Sequence, residues 1–268
     1  MKTRYHKSFH QKHLAMIVAA GTLLGIAVAR MAADEAATNP DPPKTNRWES
    51  VATVGATLTR GNSKSFLASA SINTKHKWTS DEALLGASVG YGQNTTTVNG
   101  NKTDTTTESD VRGYGQWNHE LGPQTYAGAR VTGDHDDLAS LAYRLTVSPL
   151  VGYYFIKQTN TFLAGEVGPS YVREKFFGEN VHNYIGLRIG ERFEHKFATG
   201  AKVWQSLEWI PKVTDLQNYL LTVEAGISAP LSRAFSLSLV ADDIYKSVPA
   251  IGKLKNDLRI IAGVSYSF

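Results

Sequence analysis

From Leu258 to Phe268 the chain alternates. Leu258, Ile260, Ala262, Val264, Tyr266 and Phe268 are apolar, while Arg259, Gly263, Ser265 and Ser267 between them are charged, small or polar, with Ile261 the exception. A period of two is the side-chain repeat of a strand with one face in an apolar medium and the other in a polar one. The alternation runs to the last residue and stops on an aromatic, where an unheld chain end would fray. Such a strand either edges a secreted β-sandwich or closes a barrel in a membrane.

The first 29 residues read as an address. Lys2, Arg4, Lys7 and Lys12 make a basic start, Leu14 to Val28 is an uncharged apolar run, and Ala27-Val28-Ala29 is a small-x-small cleavage site. Together these are the parts of a secretory signal peptide. The run is shorter than the roughly 20 apolar residues of a helical anchor. Cleavage is expected after Ala29, with Ala32-Ala33 as the alternative. Removing this leader turns 28 Lys and Arg against 24 Asp and Glu into 24 against 24. The basic excess therefore belongs to the leader. With no basic stripe interleaved with aromatics, nothing points to nucleic acid as a partner.

Residues 30–47, including Asn39-Pro40-Asp41-Pro42-Pro43, carry no period and read as a disordered periplasmic lead-in. The absence of cysteine excludes a disulfide scaffold and cysteine metal sites. No later stretch is apolar enough for a transmembrane helix.

From Trp48 onward, short alternating segments recur. Strands are predicted near 48–60, 65–78, 83–94, 106–119, 124–134, 139–156, 161–175, 183–197, 200–212, 218–230, 235–247 and 257–268. Tight separators such as Glu120-Leu121-Gly122-Pro123 and Lys157-Gln158-Thr159-Asn160 alternate with longer ones such as Thr95 to Thr105 and Val248 to Asn256. Short turns at one end and larger loops at the other are the habit of a membrane barrel. The expectation is an all-β fold: a closed antiparallel transmembrane β-barrel of about 12 strands over residues 48–268, with both termini periplasmic.

The faces agree. Leu141, Tyr143, Leu145, Val147, Val151, Tyr153 and Phe155 alternate with Arg144, Thr146, Ser148 and Gly152; Tyr219, Leu221, Val223 and Ile227 alternate with Thr222, Glu224 and Ser228. In this phase Arg112, Arg130, Arg144, Glu166, Arg188, Arg192, Glu194, Lys202, Glu208, Glu224 and Arg259 face the lumen. They either fill a narrow interior as paired side chains or set a field that selects small charged solutes; bases outnumber acids in this set, which favours anions. Glu191 and Asp243 fall out of register, in phase with lipid-facing residues. Either they sit near headgroups or a bulge resets the phase.

The segment Gly55-Ala56-Thr57-Leu58-Thr59-Arg60-Gly61-Asn62-Ser63-Lys64-Ser65, preceded by Trp48, resembles the YdiY-like family of salt-induced outer-membrane proteins, whose function is unknown. Gly165 to Tyr171 and Tyr184 to Arg188 also look like segments of that family. The resemblance covers about residues 48–268 and implies fold and address, not an activity. The Gly61-Asn62 pair is a hairpin signal in its own right, since both residues tolerate positive φ. The final strand resembles the C-terminal signature of bacterial outer-membrane barrels. That implies that Val264, Tyr266 and Phe268 are read by the barrel-assembly machinery, and that lipid bilayer and lipopolysaccharide surround the wall.

An enzyme reading has little to stand on. His135 lies among Asp134, Asp136 and Asp137 and near Ser140, which could mimic a triad or cation site, but sequence neighbours are a poor guide to a spatial constellation. No nucleotide fingerprint or zinc-spaced pair is present, so no cofactor is expected. The function expected is passive: a narrow channel for small solutes or ions, or a structural barrel answering envelope or osmotic stress. The alternatives are an outer-membrane lipid-modifying hydrolase and a soluble β-sandwich binding module.

Overall fold

A computed structural model describes residues 48–59, 64–98 and 101–268. The leader, the lead-in and the Gly61-Asn62 turn lie outside the described residues. Twelve strands follow in order: β1 (Trp48–Thr59), β2 (Lys64–Lys77), β3 (Asp81–Val98), β4 (Asn101–Glu120), β5 (Thr125–Asp136), β6 (Leu141–Lys157), β7 (Thr161–Phe176), β8 (Val181–Lys196), β9 (Lys202–Lys212), β10 (Asp215–Pro230), β11 (Phe235–Lys246) and β12 (Asn256–Ser267). Each pairs antiparallel with its neighbours in sequence, and β1 pairs with β12, closing one barrel. This excludes the soluble sandwich, which would need two sheets packed face to face.

Both described ends of the barrel chain meet at one rim. The Ser50 amide donates to the Phe268 carbonyl, and the Phe268 amide to that of Ser50, each at 3.0 Å. At that rim, the terminal end, the connections run three to five residues; at the opposite rim, the loop end, β9 joins β10 through two residues and only the nine-residue β11–β12 connection is longer, among the described residues. The expected boundaries hold to within a few residues except between β3 and β4. There the predicted loop from Thr95 to Thr105 is instead an extension of the hairpin, with Thr95↔Asp104 and Val98↔Asn101 in register. Threonine-rich, β-branched sequence sustains strand even where it does not alternate. A register shift at Gly92/Gln93 re-aims β4 below the extension.

The outer face is apolar. Val54, Phe66, Leu85, Val111, Leu145, Leu187, Leu239 and Ile260 all stand exposed around the wall. At the terminal end Trp48, Trp78, Trp117, Phe155, Phe235, Tyr266 and Phe268 form an exposed aromatic belt; Tyr266 stacks on Phe268 at 5.5 Å and packs against Phe235 at 5.1 Å. Tyr91, Tyr171, Trp209, Tyr219 and Tyr245 provide aromatics toward the loop end. Aromatics flanking an apolar band suit the two interfaces of a bilayer.

Candidate functional site

Period two aims alternate side chains inward, and the inner wall collects charge. All eleven predicted lumen residues lie on that face. Eight of them fall into three groups. Near the middle of the packed side, Glu166 of β7 accepts from Tyr126 Oη, Gln116 Nε2 and Arg188 Nη1 at 2.7, 2.7 and 2.8 Å. Arg188 also donates from Nε to Glu208, and Arg130 approaches Glu208 at 3.3 Å while donating to Gln116 at 3.1 Å. Arg192 lies 3.5 Å from Glu166 and 3.7 Å from Glu82. The Arg188–Glu166 pair is sealed, with side chains 4% and 0% exposed.

Toward the loop end, Glu174 accepts from Arg144 Nε at 2.9 Å and from Lys246 Nζ at 2.9 Å. Lys246 reaches from β11 to β7 and also donates to Tyr184 at 3.2 Å. Below this clasp, Val172, Ile210 and Leu220 pack as a buried apolar cluster. Above it the connection between β11 and β12 folds inward, seating Ala250 on Leu141 and Phe176. A cavity of about 40 Å³ remains beneath it, lined by Asp134, Asp257, Arg144 and Lys253 among others.

The third group spans β4, β11 and β12. Arg259 donates to Glu108 at 2.7 Å, to Asp110 at 2.9 Å and to Asp242 at 3.0 Å. Arg112 donates to Asp242 at 2.8 Å. These groups lie against Gly90, where any Cβ would collide with the carboxylates of Glu108 and Asp110. A side chain there would have to push these carboxylate and guanidinium ends aside, so glycine leaves them room to cross. Elsewhere Trp204 donates to Glu224 at 2.7 Å, and Lys202 pairs with Glu194 at 3.3 Å near the terminal rim.

The sequence reading missed the acids that complete these groups. Glu49, Glu82, Glu108, Asp110, Glu120, Asp134, Asp136, Glu174, Asp242 and Asp257 also face inward, and so do Lys75, Lys77, Lys157, Lys196, Lys212 and Lys246; Glu120 alone joins Lys77 at 3.1 Å and Lys157 at 3.0 Å across the terminal end. Acids and bases then nearly balance, which removes the expected tilt toward anions. Their signal was weak. The loop half of β4 is polar on both faces, and Asp242-Asp243 puts equal carboxylates on opposite faces.

Glu191 and Asp243 keep their outward phase. Pairing across β8 and β9 runs without a shift past Glu191, so no bulge rescues it; instead Gln205 Nε2 donates to it at 2.9 Å. Asp243 is 3% exposed and accepts from Asn256 at 2.7 Å. Each outward acid is satisfied by an amide on the adjacent strand, which lowers the cost of burying its polar atoms.

Among the described residues the histidines do not assemble a triad. His135 is held between the Ala142 carbonyl at 2.9 Å and Asp137 at 3.3 Å, with no hydroxyl bonded to it among the described residues. His195 bonds the Thr161 hydroxyl at 2.8 Å on the outer wall, with no carboxylate on it among the described residues. No cluster of three or more metal-ligating side chains occurs among the described residues.

A closed, even-stranded wall, apolar outside and charged inside, defines a β-barrel of the outer-membrane class. More narrowly, the chain belongs to the family described as "Protein of unknown function, DUF481", which matches residues 52–268. Among solved structures it is similar to the KdgM porin (10% identity, 82% of this chain and 99% of that one, TM-score 0.42). It is also similar to the NanC porin (10% identity, 81% and 100%, TM-score 0.49). A third is the translocator domain of the autotransporter NalP from Neisseria meningitidis (12% identity, 94% and 97%, TM-score 0.39). At these values the likenesses carry no argument about activity. No curated protein matches the sequence.

Proposed function

We propose that this chain is an integral barrel of the bacterial outer membrane that gives small solutes or ions a narrow passive path. The observation that carries the reading is an uneven inner wall. On β6 to β8, Thr146, Ser148, Glu166, Ser170, Val172 and Arg188 face inward and are sealed. On β1 to β3, Thr53, Ser69, Ser71 and Ser88 remain partly open and Asn73 is exposed. Small polar groups left wet along one wall of a closed barrel are what a narrow channel needs. Purified protein in planar bilayers tests this. Discrete conductance steps that shrink at least about two-fold in Ser71→Trp are expected; silence in every salt would favour a purely structural barrel.

The finer parts of the reading stand on sequence and position. Termini at the periplasmic side would put the nine-residue β11–β12 connection and the long β3–β4 hairpin outside, in keeping with the usual arrangement. Arg173 and Lys175 then stand on the outer face toward the loop end, beside Tyr143 and Tyr171, where lipopolysaccharide phosphates would meet them. The exposed Val264, Tyr266 and Phe268 are available to the assembly machinery, and deleting Phe268 should slow assembly. The YdiY-like likeness of residues 55–65 adds an envelope or osmotic-stress role, tested by whether expression follows external salt.

A further inference from the structure

The barrel closes incompletely at its seam. Pairing between β1 and β12 holds five positions, Val51↔Ser267 to Gly55↔Gly263. Both strands continue beyond it, β1 to Thr59 against β2 and β12 back to Asn256 against β11. Among the described residues no cross-seam pair follows Gly55↔Gly263, whereas every other adjacent pair of strands holds nine or more. A cavity of about 20 Å³ opens where the pairing stops. Its lining joins two sides of the wall: Arg259 and Glu108 from the lumen, Ala56, Ile260 and Ala262 from the outer face.

Two unpaired strand edges in hydrocarbon would cost several kcal/mol for each polar group, and such backbone is tolerated at membrane depth only where it is buried in protein or lines a water-filled cavity; these edges face the cavity rather than packed protein. The seam must therefore admit water or a polar group from the lumen. The lining says which group. Arg112 and Arg259 face Glu108, Asp110 and Asp242, leaving one surplus negative charge. Yet Arg259 Nε is buried with no acceptor. A headgroup that satisfies both carries an ammonium for the carboxylates and an anionic oxygen for that N–H. The lips outside are purely apolar, and Ile260 is 63% exposed.

We propose that the β1–β12 seam is a lateral portal: its cavity at rest has room for about one water, and the unpaired lips part to seat the headgroup of a single-chain zwitterionic amphiphile at Arg259 and Glu108, its alkyl chain passing between them into lipid. This rests on the outer belt facing lipid but not on ion conduction. The seam works as a wedge with its apex at Gly55 and Gly263, where Gly55 already lies against Ile261 and the Ala262 carbonyl.

The absence of cysteine makes the test clean. Val54→Cys/Val264→Cys straddles a formed pair, and Leu58→Cys/Ile260→Cys would face each other only if the register continued. In liposomes the first pair should oxidise at least about ten-fold faster; equal rates would mean that the strands zip to their ends, and would overturn the portal. A lysophosphatidylcholine with a photoreactive group on its choline should label peptides containing Glu108 or Ser69. The yield should fall at least about ten-fold in Ala262→Trp, which fills the outer lip without touching the charges. Label confined to outward residues would overturn the binding site. The same samples are run unheated on gels: an inserted barrel that fails these tests refutes the portal alone. A chain that never inserts refutes the membrane reading with it.

Discussion

Ser148 and Ser170, on β6 and β7, face inward and bond each other at 2.5 Å, out of contact with solvent. Ser71 and Ser88, paired across β2 and β3, are equally small and equally inward, and they stay partly open. Residue type does not separate the two pairs. The difference is what stands over them. The β5–β9 side carries Tyr126, Leu150 and Tyr154 packed together, the Glu166 hub and the Val172–Ile210–Leu220 cluster. The β12–β3 side carries mostly glycine, serine and threonine, crossed by the carboxylate–arginine group on Gly90, by Tyr114 donating to Asn73 at 3.1 Å and by Lys77 pairing with Glu120 at 3.1 Å. One half of the interior thus behaves as a protein core with ion pairs in it, and the other as the lining of a passage.

The largest effect should come from reversing charge in the packed half. In Arg144→Glu/Arg188→Glu, Glu174, Glu166 and Glu208 would lose cationic partners and face new carboxylates. Breaking a sealed pair costs on the order of 3–5 kcal/mol. At roughly 2–4 °C per kcal/mol for a domain of this size, the unfolding midpoint read from heat-dependent gel mobility should fall by about 10 °C or more. A variant that keeps wild-type mobility and merely changes reversal potential would show that these arginines line the passage instead.

A smaller loss is expected from Ile210→Ala, about 2–5 kcal/mol for emptying a buried aliphatic site. Ser71→Ala on the open wall should stay within about 0.5 kcal/mol. Equal losses in chemical denaturation would erase the distinction between the walls. Smallest is Glu191→Gln, which keeps a polar partner for Gln205 while removing a charge from the lipid face. It should stabilise by about 1 kcal/mol, since outward acids cost less than the 2–4 kcal/mol of a midplane arginine. A destabilised variant would mean that Glu191 meets a cation from outside.

The strands were legible because burial on one face writes itself as period two, and the closing strand shows it to the last residue. Inward charges within clean alternation, such as Arg144 and Arg188, were legible for the same reason. Their partners were not. Arg259 and Glu108 stand 151 residues apart, and Lys246 and Glu174 stand 72 apart, so only the closed ring brings them together. Thr95 to Thr107 is polar on both faces, which hides both strand and phase. The amide partners of Glu191 and Asp243 lie on neighbouring strands, where a single-strand pattern has no reach.

The central claim, that solvent follows one wall and not the other, is tested most directly by thiol access. With no native cysteine, Ser71→Cys, Ser88→Cys, Ser148→Cys and Ser170→Cys each introduce a single thiol at a small inward position. The rate of labelling by a charged, water-soluble thiol reagent on barrels in liposomes is the measurement. Positions 71 and 88 should react about 100-fold faster than 148 and 170, because only an ionised, wetted thiol reacts. Four similar rates, or faster labelling at 148 and 170, would contradict the account.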